Sequence, residues 1–222
     1  MRVVIAGGHG KIALLVEKLL AERGDSVAGL IRNPAQADDL RAAGAEAIVL
    51  DLESASAGEV AHHLADADAV VFAAGAGPGS GIERKTTVDR DAAILLADAA
   101  ETAGVGRYVM ISAMGADRRA SDESADPVFA AYLAAKAAAD AAVRARAGLL
   151  STIVRPGLLT DEPGTGRVRV AESTGRGSIP RADVAAVLVA VLDAPATGGA
   201  TFELISGDTS IPEAVAALSQ SS

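Results

Sequence analysis

The alternation of short apolar runs with longer helical stretches is the feature that most constrains how this chain can fold. Seven runs rich in Val, Ile and Ala lie along the sequence, at Arg2–Ala6, Ser26–Ile31, Glu46–Asp51, Ala69–Ala74, Arg107–Ser112, Ser151–Arg155 and Thr201–Ile205. Stretches with helical periodicity separate many of them, at Lys11–Arg23, Ala35–Ala43, Thr86–Ala103, Val128–Ala147 and Ala182–Leu192. Strands that alternate with helices form βαβ units. The pattern therefore predicts an α/β fold with a doubly wound parallel sheet and helices on both faces.

The chain length and two irregular segments predict how this sheet is arranged. With 222 residues, the chain has the length of one domain, so residues 1–222 are expected to form a single unit. A polar segment, Met114–Ala125, and a Gly- and Pro-rich segment, Gly157–Pro180, interrupt the alternation. Both follow predicted strands, which places them at the carboxyl edge of the sheet, where such folds bind ligands. We expect residues 157–180 to form a small C-terminal substrate lid.

The composition argues against several kinds of function. The chain has no cysteine, which excludes disulfides, thiolate metal sites and a thiol nucleophile. Its formal net charge of −9 would repel nucleic acid and anionic membranes, so neither is expected as a partner. His62 and His63 are adjacent on a predicted helix and point about 100° apart, so they cannot both bind one ion, and no metal is predicted. The apolar run at the N-terminus is too short for a signal or membrane segment, which predicts a cytoplasmic protein.

The first apolar run leads into the turn Gly7-Gly8-His9-Gly10-Lys11-Ile12, which opens a predicted helix. A glycine at the start permits a tight turn, and Gly10 lets the backbone approach a pyrophosphate. The helix N-terminus also offers unpaired N–H groups and a partial positive charge to phosphates. A glycine turn without a ligand is the alternative. Its position between a strand and a helix favours a Rossmann-like dinucleotide site, in which residues 7–12 bind the cofactor.

The end of the second predicted strand distinguishes NADP(H) from NAD(H). NAD sites tend to place Asp or Glu there, whereas this chain has Arg32 and no acid beside it. A guanidinium can form two charge-assisted hydrogen bonds with a 2′-phosphate, so NADP(H) is predicted in preference to NAD(H). A solvated surface arginine is the alternative. Further cofactor contacts are expected from Asp51, Leu52, Ala73, Ala74 and Gly75.

Together these motifs resemble those of the atypical short-chain dehydrogenases/reductases, in particular the small NAD(P)H-binding, epimerase-like members. The resemblance covers nearly the whole chain. It rests on Ala6–Ala13, Arg32, Asp51-Leu52, Ala73–Gly75, Val88-Asp89, Tyr108–Ser112, Tyr132–Lys136, Arg155-Pro156-Gly157, Ser178–Val184 and Phe202–Gly207. It implies that Asp89 stands where the wider superfamily has an active-site Asn. It also implies that Pro156 and Gly157 lie against the cofactor.

A Tyr-x-x-x-Lys pattern, Tyr132 to Lys136, lies on a predicted helix, and this spacing places both side chains on one helical face. Ser112, at the end of the fifth predicted strand, completes a Ser–Tyr–Lys set that Asp89 would support. A nearby ammonium and an oxidised nicotinamide favour phenolate, so we expect a lowered pKa for Tyr132. The tyrosine would exchange a proton with a carbonyl or alcohol oxygen that Ser112 orients, and Lys136 would also bind the ribose. The alternative is an inherited pair in a protein that only binds the dinucleotide.

The expected function is that of an NADP(H)-dependent oxidoreductase acting on a small carbonyl, alcohol or quinone-like substrate by Tyr-assisted hydride transfer. Two alternatives remain open: an NADP-dependent epimerase or dehydratase, and a redox sensor that binds NADP(H) without turnover. Aromatic residues are only 2% of the chain, which argues against a stacked flavin or tetrapyrrole. Arg118 and Arg119 are interpreted as part of a solvated loop. The Ala-rich helix Ala130–Ala147 is compatible with either a monomer or a homodimer.

Overall fold

One large, mainly parallel sheet organises the chain. The computed structural model describes residues 1–77, 79–117 and 126–219. Within these residues, nine strands pair in the order β11-β8-β10-β6-β5-β4-β1-β2-β3, and β7 and β9 form a separate parallel pair. Only β8 runs antiparallel to its neighbours. The strands are β1 (Arg2–Ala6), β2 (Ser26–Ile31), β3 (Glu46–Val49), β4 (Ala69–Phe72), β5 (Arg107–Ile111), β6 (Leu150–Pro156), β7 (Leu158–Thr160), β8 (Arg167–Ala171), β9 (Ser178–Pro180), β10 (Thr201–Ser206) and β11 (Thr209–Ser210).

Helices cover both faces of the sheet. They are α1 (Lys11–Glu22), α2 (Ala37–Ala42), α3 (Ala57–His63), α4 (Ile82–Arg84), a π-helix (Lys85–Asp91), α5 (Ala92–Ala103), α6 (Pro127–Arg144), α7 (Arg181–Leu192) and α8 (Ile211–Leu218), with 3₁₀ turns at Pro34–Gln36 and Pro195–Thr197. Successive strand residues alternate between two cores: Val3 and Ile5 pack with α1 and α7, whereas Val4 packs with α3 and α5. The predicted α/β class with helices on both faces is therefore confirmed, and the order 3-2-1-4-5-6 of the first six strands is that of a Rossmann-like fold.

The helix boundaries follow the capping residues in the sequence. The Asp126 side chain accepts from the Val128 amide, and Pro127 occupies the first position of α6. Ser210 and Glu213 form a capping box at the start of α8. Gly104 ends α5 in a left-handed conformation, with φ of 75°. The Asp126 cap fixes the start of α6, the helix that carries the predicted Tyr–Lys pair.

Two stretches differ from their predicted structure. Thr86–Ala103 was expected to be one α-helix, but it begins within the π-helix Lys85–Asp91. The apolar spacings of α- and π-helices are too similar to separate in a short stretch. The second stretch, 157–180, was expected to be a lid without regular structure, but it contains β7, β8 and β9. The alternation Arg-Val-Arg-Val in β8 buries Val168 and exposes Arg169, which is the pattern of a strand with one buried face. Arg118 and Arg119 lie outside the described residues.

Candidate functional site

The carboxyl ends of β1, β2, β4, β5 and β6 border a crevice made of two adjoining cavities, of about 300 and 540 Å³. Ala73, Ala74 and Gly75, which follow β4, line both cavities and form their common wall. The first cavity is also lined by the predicted residues Gly7, His9, Gly10, Arg32, Asp51 and Leu52. The second is also lined by the predicted residues Ile12, Asp89, Ser112, Tyr132, Lys136, Pro156 and Gly157. The fold thus brings both predicted sets to one edge of the sheet.

The glycine turn shapes the first cavity. Gly7 has φ of 81°, and a Cβ there would lie 2.6 Å from the Ala74 Cα, so only glycine lets the turn lie this close to the end of β4. Gly10 has extended backbone angles before α1, and no side-chain cap is present there among the described residues. The amides of the first turn of α1 are therefore available to an anion. His9 lies at the rim, with its Nε2 atom 2.7 Å from Asp39 Oδ2.

Two residues of the turn face away from the crevice. The Gly8 amide donates to the Leu30 carbonyl, and a Cβ on Gly8 would lie 2.8 Å from the Gly29 Cα. Gly8 therefore serves close packing against β2. The exposed Lys11 side chain pairs with Asp161, at 2.7 Å. Neither residue lines the crevice, so a cofactor contact by Lys11 would have to use its main-chain amide.

Two guanidinium groups and one carboxylate occupy the outer end of the first cavity. Glu53 Oε2 accepts from Arg32 at 3.1 Å and from Arg84 at 2.8 Å, while Thr87 donates to Glu53 Oε1 at 2.7 Å. Arg84 holds the pKa of the Glu53 carboxyl below its usual range, with Thr87 and Arg32 acting in the same direction against the effect of burial. With Glu53 ionised, these three groups sum to +1, and the carboxylate of Asp51, which also lines this cavity, brings the sum to zero. Arg84 was not predicted from the sequence, because it lies far from Arg32 along the chain and in no recognised motif.

The second cavity contains a buried ion pair. Lys136 Nζ lies 3.3 Å from Asp89 Oδ1 and donates to the Ile111 carbonyl, also at 3.3 Å. Asp89 Oδ2 accepts from the Ala76 amide at 3.3 Å, which ties the pair to the loop after β4. Burial lowers the pKa of Lys136, and Asp89 opposes that effect by stabilising the ammonium. Asp89 thus neutralises the cation that was expected to act on Tyr132.

The expectation of a lowered pKa for Tyr132 is wrong for the protein chain itself. Lys136 Nζ lies 6.0 Å from the centroid of the Tyr132 ring. Burial nevertheless raises the pKa of the Tyr132 phenol well above its usual value, and the carboxylates of Asp89 and Asp140 raise it further. The prediction was based on the ammonium and an oxidised nicotinamide and did not include the two carboxylates near the phenol. Tyr132 is therefore a neutral phenol at physiological pH and a potential proton donor.

Ser112 lies at the base of the second cavity and is 3% exposed. Its Oγ atom has no hydrogen-bond partner among the described residues, and neither does Asp140 Oδ1. The two side chains are close enough for the Ser112 hydroxyl to favour the ionised form of Asp140, although their geometry falls short of a hydrogen bond. Arg155 donates to Asp140 Oδ2 from Nε and Nη2, at 2.9 and 2.7 Å, and also pairs with Asp117. The Ser112 hydroxyl is thus left with hydrogen-bonding capacity toward the cavity.

Three further residues complete the second cavity and were missed from the sequence. Lys85 and the aromatic ring of Phe129 line it, and Asp140 lies behind it on α6. Tyr132, Lys136 and Asp140 are spaced four residues apart, so the same periodicity that indicated the Tyr–Lys pair could have indicated Asp140. No comparable sequence pattern indicated Lys85 or Phe129.

Comparison with known proteins agrees with this geometry. A family model described as NAD(P)H-binding matches residues 7–195, which include the glycine turn, Tyr132 and Lys136. The chain belongs to this NAD(P)H-binding family. The predicted resemblance to epimerase-like, NAD(P)H-binding short-chain dehydrogenases/reductases is thereby confirmed.

Individual relatives cover almost the full chain. A Bacillus subtilis protein named uncharacterized sugar epimerase YhfK is 39% identical over 216 residues, which are 97% of this chain and 99% of the relative. A solved structure of a candidate NAD-dependent epimerase/dehydratase from Bacillus halodurans has a TM-score of 0.88 and 37% identity, covering 98% of this chain and 99% of that one. A short-chain dehydrogenase/reductase from Veillonella parvula, solved in complex with NADP, shares the fold with a TM-score of 0.70 at 14% identity, covering 94% of this chain and 96% of that one.

No helix among residues 1–77, 79–117 and 126–219 is long and apolar enough to cross a membrane. The same residues contain no group of three His, Cys, Asp or Glu side chains placed to hold a metal ion.

Proposed function

We propose that this protein is an NADP(H)-dependent oxidoreductase that reduces a small carbonyl or quinone-like substrate, with Tyr132 as the proton donor. The observation that carries the proposal is the continuity of the crevice from the uncapped N-terminus of α1 to Tyr132 and Lys136. The common wall of small residues lets an extended dinucleotide lie against backbone across both cavities. Family membership supports the cofactor class.

The residues of the second cavity are suited to protonating a substrate oxygen. When bound, NADPH supplies the hydride that the substrate carbon receives. Tyr132 donates its phenolic proton to the carbonyl oxygen, so the C=O double bond becomes the C–OH single bond of the product. The Ser112 hydroxyl orients that oxygen, and Lys136 holds the ribose and returns a proton from solvent to the tyrosine. A neutral Tyr132 is in the protonation state that carbonyl reduction requires of its proton donor.

The arginine pair supports NADP(H) over NAD(H). Arg32 and Arg84 converge on one point beside the adenosine end of the crevice, where Glu53 now holds them together. A 2′-phosphate carries more negative charge than a single carboxylate and can accept from both guanidinium groups. We infer that the phosphate competes with Glu53 for these donors.

A substrate assay with two matched tyrosine variants tests the catalytic assignment. NADPH oxidation is followed at its own absorbance with a panel of aldehydes, ketones and quinones. Tyr132→Phe removes the proton donor, so the activity should fall by about 100-fold or more. Tyr108→Phe removes the other tyrosine hydroxyl of the chain, which donates to the Ala93 carbonyl inside the core, and should keep the activity of any protein that remains folded. Full activity in Tyr132→Phe would refute the role given to Tyr132.

An epimerase or dehydratase is the second candidate, and the name of the Bacillus subtilis relative favours it. Such an enzyme would interconvert its substrate with no net consumption of the dinucleotide. Binding of NADPH without its oxidation by any member of the panel would favour this candidate or a sensor. Formation of an epimer or of a dehydrated product would then separate an epimerase or dehydratase from a sensor.

A further inference from the structure

Lys85 is a buried cation that has no role in the proposed reduction mechanism. It is 8% exposed, and its Nζ atom donates to the Gly77 carbonyl at 2.9 Å. The same atom lies 5.4 Å from the centroid of the Tyr132 ring. No carboxylate of the described residues forms an ion pair with it. A buried ammonium without a counter-ion is costly, which suggests that the negative charge comes from a ligand.

The charge of the cavity agrees with an anionic ligand. The buried ionisable side chains on its wall are Lys85, Lys136 and Asp89. Asp89 already pairs with Lys136 at 3.3 Å, so these three groups sum to +1 and the excess resides on Lys85. Asp126 at the rim is exposed, and its side chain caps α6. The cavity thus contains one ammonium, that of Lys85, for which the described residues supply no paired carboxylate.

The position of Lys85 separates it from the cofactor phosphates. Lys85 lines the second cavity but not the first, whereas its neighbour Arg84 lines the first but not the second. The pyrophosphate is expected at the turn from Gly7 to Gly10, on the other side of the wall formed by residues 73–75. The ammonium thus faces the substrate end of the crevice.

We propose that Lys85 binds a carboxylate on the substrate, so that the preferred substrates are carbonyl compounds that carry a carboxylate beside a flat apolar part. This inference rests on the proposed reductase function, whose Tyr132 would protonate the carbonyl. The flat part has a place on Phe129, which is 52% exposed, lines the cavity and lies against Tyr132 in a tilted arrangement with 6.0 Å between ring centroids. A carboxylate on the ammonium and a ring on Phe129 would hold the carbonyl between them, near the phenol.

Equilibrium binding tests the site without requiring turnover. The NADP⁺-loaded protein is titrated by calorimetry with benzoate and with its neutral isostere benzamide. Benzoate should bind at least about 10-fold more tightly, because a charge-assisted hydrogen bond to a buried ammonium is lost in the amide. Lys85→Met should abolish this preference, and Lys85→Arg should restore part of it. The matched control is Lys18→Met, which removes an exposed lysine of α1 and should retain the preference.

Turnover provides the second readout. Benzoylformate and its methyl ester present the same ketone with and without the carboxylate. The ratio of their kcat/KM values should favour the acid by about 10- to 100-fold in the native protein and fall at least about 10-fold in Lys85→Met. Lys85→Gln repeats the test if the methionine variant does not fold, as judged by its thermal unfolding.

Three results would overturn the proposal: equal binding of benzoate and benzamide, a benzoate preference that survives in both neutral Lys85 variants, or a loss of NADPH affinity of about 10-fold or more in those variants, which would assign Lys85 to the cofactor. Failure of the reductase function is a separate result, because it would appear as an absence of NADPH oxidation across the whole carbonyl and quinone panel. Lys85-dependent benzoate binding would persist in that case.

Discussion

Glu17 should make the stability of this protein fall as the pH rises through neutrality. This side chain of α1 is completely buried against Gly8 and Gly29, directly beneath the glycine turn. Neither of its carboxyl oxygens has a hydrogen-bond partner among the described residues. Burial raises the pKa of Glu17 from 4.5 to about 8. The folded protein therefore retains a proton that the unfolded chain releases in this interval.

The sign and size of the effect follow from proton linkage. Between pH 4.5 and about 8 the folded state binds more protons at Glu17 than the unfolded state, so the free energy of unfolding decreases with increasing pH. Each unit of pKa difference corresponds to about 1.4 kcal/mol, which gives a total penalty of at most about 5 kcal/mol above pH 8. About 3 kcal/mol of this falls between about pH 5.5 and about pH 8.5. That is a large part of the roughly 5–15 kcal/mol stability of a typical domain.

Glu17→Gln isolates this effect, because the amide keeps the shape of the side chain and its unmet hydrogen bonds but cannot ionise. Urea unfolding at a series of pH values gives the free energy of unfolding of both proteins, and the other titrating groups should affect the two equally. Between about pH 5.5 and about pH 8.5, the free energy of unfolding of the native protein should therefore fall by about 3 kcal/mol more than that of the variant. Exposed Glu22→Gln, on the same helix, is the control and should follow the native protein. The same pH dependence in the native protein and in Glu17→Gln would refute the reasoning.

Three further predictions address the site and the core. Asp89→Asn removes a carboxylate that raises the pKa of Tyr132, so the basic limb of the pH profile of NADPH oxidation should move to lower pH; an unmoved limb would contradict this. Arg84→Ala should weaken NADPH binding by about 10-fold and NADH binding much less, as measured by calorimetry. The control variant is Arg41→Ala, which removes an exposed arginine. Equal losses of NADPH and NADH affinity in Arg84→Ala would show that Arg84 binds no 2′-phosphate. Arg107→Met should lower the free energy of unfolding by about 2–4 kcal/mol in urea titrations. The reason is that this buried guanidinium donates to the Leu150 and Val191 carbonyls and to two threonine hydroxyls. A variant as stable as the native protein would mean that these hydrogen bonds contribute nothing to stability.

Local pattern was sufficient to predict the frame of the fold. The strands β1, β2 and β5 and the helices α1, α6 and α7 were each predicted to within a few residues, since apolar periodicity and capping residues such as Asp126 act over short distances. The strand β8 was missed because its Arg-Val alternation is short and lies between glycines. The π-helix was missed because its hydrogen-bond pattern leaves little trace in the apolar spacing.

The residues of the site that belong to one local motif could be predicted from the sequence. Those that the fold brings together from distant segments could not. The turn at Gly7 and the Tyr132–Lys136 pair are local patterns, and the structure places both in the crevice. Arg84 and Lys85 have no motif, and only the tertiary fold shows that they face the crevice. The pKa of Tyr132 in the protein chain depends on the summed effect of several buried groups, and the prediction from Lys136 and an oxidised nicotinamide did not include the carboxylates of Asp89 and Asp140.

Arg84 and Lys85 are consecutive residues, yet they line different cavities of the crevice. They meet at the junction of α4 and the π-helix, and because consecutive residues of a helix point about 100° apart, their side chains enter different cavities. Any displacement of this backbone would move both cations together. Substitutions in this helix that retune dinucleotide preference would therefore also disturb substrate selection, so attempts to engineer the two properties independently should avoid this turn.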